Sequence, residues 1–371
     1  MTSPTSEMSR TEAPPAELLL GRPEFAGDLN QAAEWVRGRR VLVTGAAGSV
    51  GAPLARLLLQ AEAEHLVLLD HHEYSLFSLE RSLARPHTAL SYELADIRDA
   101  PRLQRVFEQY QPRVVFHLAA AKHVGYGERF PEGAVDTNVL ATATLLRLAR
   151  ESGVEQFVYP SSDKSVAPPS LYGATKRITE SLVQGHPGKV VRYVNIIGTR
   201  GSVIEIFSNQ VREDRPLSVT DQRMTRYWIS MNEALWSLLA TGELAVPGQV
   251  VLPDCGEPVP LLQTVQRLVG WYRPHEYPLR VPGGPLREHQ QQYPITWTGM
   301  APGERLHEVL LSDNEFLADG PVAGLSVVET RREPGRVRAL PDAIAELREL
   351  VNAGQRERLK QRCLELAEAL Q

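Results

Sequence analysis

Between Val41 and Ile197, short apolar runs alternate with longer stretches whose apolar residues recur every three or four positions. The runs have the length of strands and the stretches have helical spacing. They predict strands at Val41–Thr44, His65–Asp70, Leu90–Leu94, Arg113–Leu118, Gln156–Pro160 and Val190–Ile197. Helices fall between them at Val50–Gln60, Glu73–Ala84, Arg102–Tyr110, Asn138–Gly153 and Ser170–Gln184. In Glu73–Ala84, for instance, Leu76, Leu79 and Leu83 share one face. Such alternation predicts a parallel sheet covered on both faces. A short helix is expected near Leu29–Arg37. Beyond Gly198 the rhythm stops, proline and glycine become frequent, notably over Val281–Pro294, and the segments shorten. Residues 339–371, rich in Leu, Ala, Glu and Arg, read as one or two helices. The expected division is a leader and extension over 1–37, a nucleotide-binding α/β domain over 38–198, a smaller substrate lobe over most of 199–330, and C-terminal helices over 331–371.

Composition narrows the class. The chain has 371 residues, 43% hydrophobic and 23% charged, the balance of a soluble globular protein. A formal net charge of −5, with no basic stripe interleaved with aromatics, speaks against a nucleic-acid partner. Cys255 and Cys363 lie far apart with no CxxC spacing, so neither a disulfide framework nor a zinc site is expected. The opening MTSPTSEMSRTEAPP has no basic and apolar signal regions, and reads as a disordered leader. No apolar run approaches the ~18 residues of a membrane span. A cytoplasmic protein without membrane insertion is the expectation.

The segment VLVTGAAGSVGAPLARLLL puts Gly45, Gly48 and Gly51 between a strand and a helix. Glycines so placed allow a tight turn, close approach of a pyrophosphate and close helix packing. The helix start adds free N–H groups and a positive dipole end. Asp70 closes the next strand, near the ~20-residue spacing expected of an acid on the adenosine ribose. A carboxylate there accepts from a 2′-hydroxyl and repels a 2′-phosphate, which favours NAD over NADP. Ala47, Ser49 and Val50 in the turn, Ile97, and Ala119 and Ala120 after the fourth strand are further cofactor candidates. Asp96 is either an adenine contact or a plain turn aspartate. His71–His72 has no third ligand nearby, so no metal site is expected.

The fifth strand runs into PSSDKSVAPPSLYGATK. Tyr172 and Lys176 form YxxxK, four apart on one helix face. A phenol titrating near ~10 is a poor base at neutral pH, and a neighbouring ammonium lowers it. The pair can then take a proton from a sugar hydroxyl as hydride leaves, so both residues also count as cofactor neighbours. Ser162 stands at a strand's carboxyl end, where open α/β sheets bind ligands.

The chain resembles the extended short-chain dehydrogenases/reductases, and within them the nucleotide-sugar 4,6-dehydratases of polysaccharide and glycan biosynthesis. The resemblance runs from about Leu18 to Glu315. It is carried by LLGRPE, TGAAGSVG, LLDHHEYSLFSLE, AAAKHV, DTNVLAT, SSDKSVAPPSLYGATKR, GTRGSVI, MTRYWIS and PGERLHEVLL. It implies a Rossmann-like doubly wound parallel sheet with a smaller C-terminal substrate lobe. It implies a UDP-sugar substrate, UDP-N-acetylglucosamine by default, and homo-oligomers, since this fold often pairs through helices. It also implies that Asp163 and Lys164 eliminate water across C5–C6, Asp163 as acid and Lys164 as base. Those jobs need a raised carboxyl and a lowered ammonium pKa. Direct contact would oppose both shifts, so the two are expected to point at different substrate atoms. Ser162 is expected at the C4 oxygen. Asn138 is expected to prop the YxxxK helix.

Asn195, Arg226 and Glu304 fall near the nucleotide by the same resemblance. Arg226 is a diphosphate partner or a surface arginine. Ser202 and Val203 lie over the uracil or simply pack. Lys122 meets a diphosphate or sugar oxygen, or is a surface lysine. The chain departs from the family pattern at Ala167–Ser170, Val194, Ala301 and Gly125, which leaves the exact sugar open. Long relatives carry a membrane segment ahead of the LLGRPE region, and often methionine at the tyrosine position; Tyr172 is kept here. A C4-epimerase or ketoreductase would need Tyr172 and Lys176 but not Asp163–Lys164. A non-catalytic nucleotide sensor would need neither.

Overall fold

The computed structural model describes residues 12–25, 27–83, 89–274, 277, 293–331 and 340–371. Most of the expected leader, Ala84 and nearly all of Val281–Pro294 lie outside the described residues. The main sheet has nine strands: β1 Arg40–Thr44, β2 His65–Asp70, β3 Ala89–Leu94, β4 Val114–His117, β5 Gln156–Ser162, β6 Lys189–Tyr193, β7 Val250–Pro253, β8 Glu315–Asp319 and β9 Leu325–Thr330. Their spatial order is β8-β9-β7-β6-β5-β4-β1-β2-β3. From β1 to β7 all pairings are parallel, with Thr44 opposite Leu69 on one side and His117 on the other. β9 runs antiparallel to β7 and β8 to β9. Helices cover both faces, so β1, β2, β4 and β6 are buried along nearly their whole length and do not alternate between buried and exposed residues.

One face carries α1 Gly51–Gln60 and α7 Met231–Leu244, with the N-terminal turn around Leu29–Val36. The other carries α3 Ala100–Tyr110, α4 Ala141–Glu151 and α5 Leu171–Gly185. α2 Glu73–Ser82 follows β2. A third core packs α6 Val203–Arg212 and the Ala16–Leu20 helix on α8 Leu261–Tyr272. The C-terminal α9 Leu340–Asn352 and α10 Arg356–Ala369 form a hairpin, and α10 lies along α5.

Two expectations need correction, and one stretch gains helices that the sequence reading did not place. The strand expected over Val190–Ile197 ends at Tyr193, and Asn195–Ile196 pairs with Trp228–Ile229 in a small separate ladder. The stretch 199–330 is not wholly a separate lobe, because β7, β8 and β9 return to complete the main sheet. Helices at Val124–Arg129 and Pro131–Val135, too short to show periodicity, lead into a π-turn at Asp136–Leu140 ahead of α4.

Candidate active site

β1 lies between β4 and β2, so the strand order reverses there and opens a crevice at the carboxyl ends. A cavity of about 1100 Å³ occupies it. Its lining includes every candidate named from the sequence: Gly45, Ala47, Gly48, Ser49, Val50, Gly51, Asp70, Asp96, Ile97, Ala119, Ala120, Lys122, Ser162, Asp163, Lys164, Tyr172, Lys176, Asn195, Ser202, Val203, Arg226 and Glu304.

The glycine turn fits a dinucleotide. Gly45 has φ +68°, and a Cβ there would lie 2.7 Å from the Ala119 nitrogen, so only glycine lets β1 and the β4 loop close together. Asp70 is buried at the end of β2, where its carboxylate accepts from Ala47 N and His72 N, both at 3.0 Å. Asp96 is held by the Arg98 guanidinium at 2.6 Å, whose hydrogen bonds keep its carboxyl below the usual range. His72 caps α2 by accepting from Ser75 N at 3.2 Å. Among the described residues no cluster of three His, Cys, Asp or Glu could hold a metal.

β5 delivers Ser162 and a single 3₁₀ turn, Asp163–Ser165, to the crevice. Ser162 Oγ donates to Asp163 Oδ1 at 2.9 Å and accepts from Lys164 N at 3.3 Å. α5 then starts against this turn. A Cβ on Gly173 would sit 2.2 Å from the Lys164 carbonyl, so the glycine of YGATK is what brings Tyr172 to Asp163 and Lys164. Asn138, in the π-turn, donates to Thr175 Oγ1 on α5 at 2.9 Å and exchanges bonds with the Ala121 backbone. It lies where a prop for α5 is needed.

Here the geometry departs from the sequence reading. Lys164 Nζ donates to Asp163 Oδ1 at 3.0 Å and to the Glu308 carboxylate at 2.8 Å. The expected separation of Asp163 and Lys164 is therefore not found. Burial pulls the lysine down, but two carboxylates more than offset it and hold the ammonium above the ordinary lysine range. Asp163 is fully buried; burial raises its carboxyl, Lys164 opposes and Glu308 adds, leaving it at about 6. The raised acid is present; the lowered amine is not.

Tyr172 differs too. Burial pushes its phenol above the ordinary value, and the cation pulling it back is Lys164, helped by Ser162. Lys176 instead donates to the Pro160 carbonyl at 2.6 Å and stands 4.3 Å over the Tyr159 ring. Burial lowers its ammonium to about 7.

Arg226 also lines the cavity, with its Nε 3.4 Å from Glu308. Asn195, expected near the nucleotide, sits beside the lysine: its Oδ1 accepts from Lys164 and its Nδ2 donates to Glu308 at 2.7 Å. The break of β6 at Tyr193 turns it there. Lys122 donates to the Arg200 carbonyl at 2.5 Å, and the Arg200 guanidinium bonds the Ala47 carbonyl on the glycine turn. Ser202 caps α6, and Glu304 caps its own turn by accepting from Ala301 N. Glu308 and Arg200 were missed from sequence. Glu308 lies four residues after Glu304 in PGERLHEVLL, but nothing in spacing says that it meets Lys164, 144 positions earlier.

Comparison with known proteins agrees with this architecture. Residues 41–328 match the family described as polysaccharide biosynthesis protein. The probable polysaccharide biosynthesis protein EpsC of Bacillus subtilis is 37% identical over 82% of this chain and 50% of its own length. The chain thus spans about half of that relative. The UDP-N-acetylglucosamine 4,6-dehydratase (inverting) of Campylobacter jejuni, strain 81-176, is 27% identical over 75% of this chain and 79% of its own. Among solved structures, Pen from Bacillus thuringiensis superposes with a TM-score of 0.70 at 25% identity, covering 80% of this chain and 89% of Pen. With its doubly wound sheet, glycine turn and YxxxK helix, the chain belongs to the polysaccharide biosynthesis protein family, on an extended short-chain dehydrogenase/reductase fold.

Proposed function

We propose that the chain is a nucleotide-sugar 4,6-dehydratase that uses NAD and takes a UDP-sugar, UDP-N-acetylglucosamine first among them. One observation carries this reading. The Ser162–Lys164 turn and the Tyr172 ring share a cavity in which a buried carboxyl, raised to about 6, touches a charged amine. Oxidation and reduction at C4 need a phenol and a hydroxyl, not that pair. The pair supplies what water loss needs, a proton to give and a place to receive one. A nicotinamide dinucleotide, its pyrophosphate held at Gly45–Gly51, would supply a hydride acceptor and donor.

In this reading Ser162 and Tyr172 hold the C4 oxygen, and Tyr172 takes its proton as a phenolate, the form that the Lys164 ammonium and Ser162 favour against burial. The resulting ketone acidifies C5–H. The Asp163–Lys164 contact resolves how a charged lysine becomes a base. Moving one proton from Lys164 to Asp163 leaves a neutral amine and a neutral acid, the form favoured when substrate dries the site. Lys164 then takes the C5 proton, and Asp163 gives its proton to the departing C6 hydroxyl. Water leaves and the starting charges return on the pair; return of the hydride to C6, with Lys164 giving its proton back to C5, would complete a product lighter by one water. Asp70, acceptor-only and buried, favours a ribose hydroxyl over a phosphate and so supports NAD.

Purified protein given UDP-N-acetylglucosamine should yield a product lighter by one water in mass spectrometry. Asp163→Asn and Lys164→Met should lose that product at least about 100-fold while keeping part of the C4–H exchange. An isobaric product would favour epimerisation. Normal dehydration by both variants would remove the pair from the mechanism.

A further inference from the structure

Resting on that reading, we propose that Glu308 is a positioning residue for the water-loss step: it fixes the Lys164 ammonium beside Asp163 and sets the proton balance of the pair.

Glu308 reaches the site from outside every stretch that the sequence marked as catalytic. Its side chain is 5% exposed, and it holds three groups at once. One oxygen takes Lys164 Nζ at 2.8 Å and faces Arg226 Nε at 3.4 Å. The other accepts from Asn195 Nδ2 at 2.7 Å. Asn195 in turn accepts from Lys164 and donates to the Tyr227 carbonyl at 3.0 Å. The lysine therefore has three oxygens around it, from Asp163, Glu308 and Asn195, and little freedom to swing away. A flexible four-carbon stem would otherwise sample many positions.

The charges facing this cluster come from four elements. From the 3₁₀ turn after β5 come Asp163 and Lys164, and from α5 comes Tyr172. From the 225–229 segment come Arg226 and Tyr227, and Cys255 faces Asp163 after β7. Burial works against a charged Glu308, yet Lys164 and Arg226 hold it below the ordinary range, so it stays a carboxylate. A fixed negative charge here raises both neighbours. It keeps the proton on Lys164 and lifts Asp163 toward neutrality. The same carboxylate joins Lys164 to Arg226, so the wall expected to meet the diphosphate and the pair that loses water share one anchor.

The test is Glu308→Gln, with Glu308→Asp as a variant that keeps the charge. In the wild type, water loss requires one proton on the Asp163–Lys164 pair. Its rate should fall below an acid limit near the Asp163 value of about 6 and above a basic limit set by Lys164. Removing the charge lowers both groups, so both limits should move to lower pH by about one unit in Glu308→Gln. Glu308→Asp should keep both limits near their wild-type positions, and C4–H exchange should hold its rate within about threefold in both variants. A residue that only supports the fold would lower the rate at all pH values without moving the limits. An unmoved window in an enzyme that dehydrates overturns the proposal.

A second measurement needs no turnover and stands apart from the dehydratase reading. The chain's lysines are Lys122, Lys164, Lys176, Lys189 and Lys360, few enough to follow by carbon NMR at the ε-carbon. Lys164 should titrate above an ordinary lysine and fall by about one unit or more in Glu308→Gln. A Lys164 titration identical in the two proteins sinks the positioning role, whatever substrate the enzyme takes.

Discussion

His117 ends β4 directly beneath the site, with Nδ1 2.7 Å from Thr44 Oγ1 and Nε2 2.8 Å from Thr142 Oγ1. Its ring stacks on Tyr159, the ring under Lys176. Burial, and then the charge of Lys176, lowers it to about 3. Between about 6.5 and about 3 the unfolded chain binds a proton that the folded chain refuses. Stability must therefore fall as pH drops through that window, by up to about 1.4 kcal/mol per pH unit from this group. Urea midpoints measured from pH 7 to 4 should show this slope, and His117→Gln should flatten it. An unchanged slope would place the proton elsewhere. In sequence His117 was one more position in a strand. Its neutrality comes from β1 and α4 closing around it, which no local pattern announces. Asp163 and Lys164 were legible as chemistry because their order beside Ser162 and Tyr172 is specific. Their contact was not, because it depends on Glu308, which arrives from another part of the chain.

α5 shows the same division one level up. Its span and its capping serine, Ser170, follow from helical spacing and from a hydroxyl that accepts Gly173 N. Its surroundings do not. A helix on one face of a sheet usually keeps a polar outer side. α5 is buried from Leu171 to Val183, charged residues included. Arg177 and Glu180 find partners in Arg192 on β6 and Glu315 on β8, with Arg192 to Glu180 at 2.6 Å and to Glu315 at 2.9 Å. Arg192→Met would leave two buried carboxylates with Arg177 alone. A loss of about 3–5 kcal/mol in urea denaturation is expected, and a loss under 1 kcal/mol would show that the cluster relaxes into water. The cluster also fixes α5 to β6 and to the edge strand β8, and with it the seat of Tyr172 and Lys176.

For the whole molecule, the C-terminal hairpin is the element whose place least follows from its own sequence. α10 puts Leu359, Cys363 and Leu366 into the core that holds Leu171, Ala174, Ile178 and Leu182 of α5, and the Leu370 carbonyl accepts from Arg177. α5 therefore offers no free face to a second subunit, and a homo-oligomer, expected from the resemblance, would have to use other surfaces. Removing residues 353–371 should bare this apolar face. We expect a truncated chain that aggregates or pairs, seen by size-exclusion chromatography with light scattering, with a melting point lower by several degrees. A truncated monomer of unchanged melting point would mean that the hairpin only rests on the core. Among the described residues no helix is long and apolar enough to cross a membrane.

The amino-acid order by itself determined the strand–helix alternation, the glycine turn, the Ser162–Lys164 and Tyr172–Lys176 groups and the family they resemble. These are local patterns, and chain connectivity alone sets the spacing of their parts. Tertiary structure alone decided where β7, β8 and β9 return to the sheet, that Lys164 lies between two carboxylates, that Asn195 turns toward it and that α5 is sealed by the chain's own end. Each of those depends on residues tens to hundreds of positions apart. Burial and charge act through space, and their sign at a given atom is set only once the distant partner has arrived.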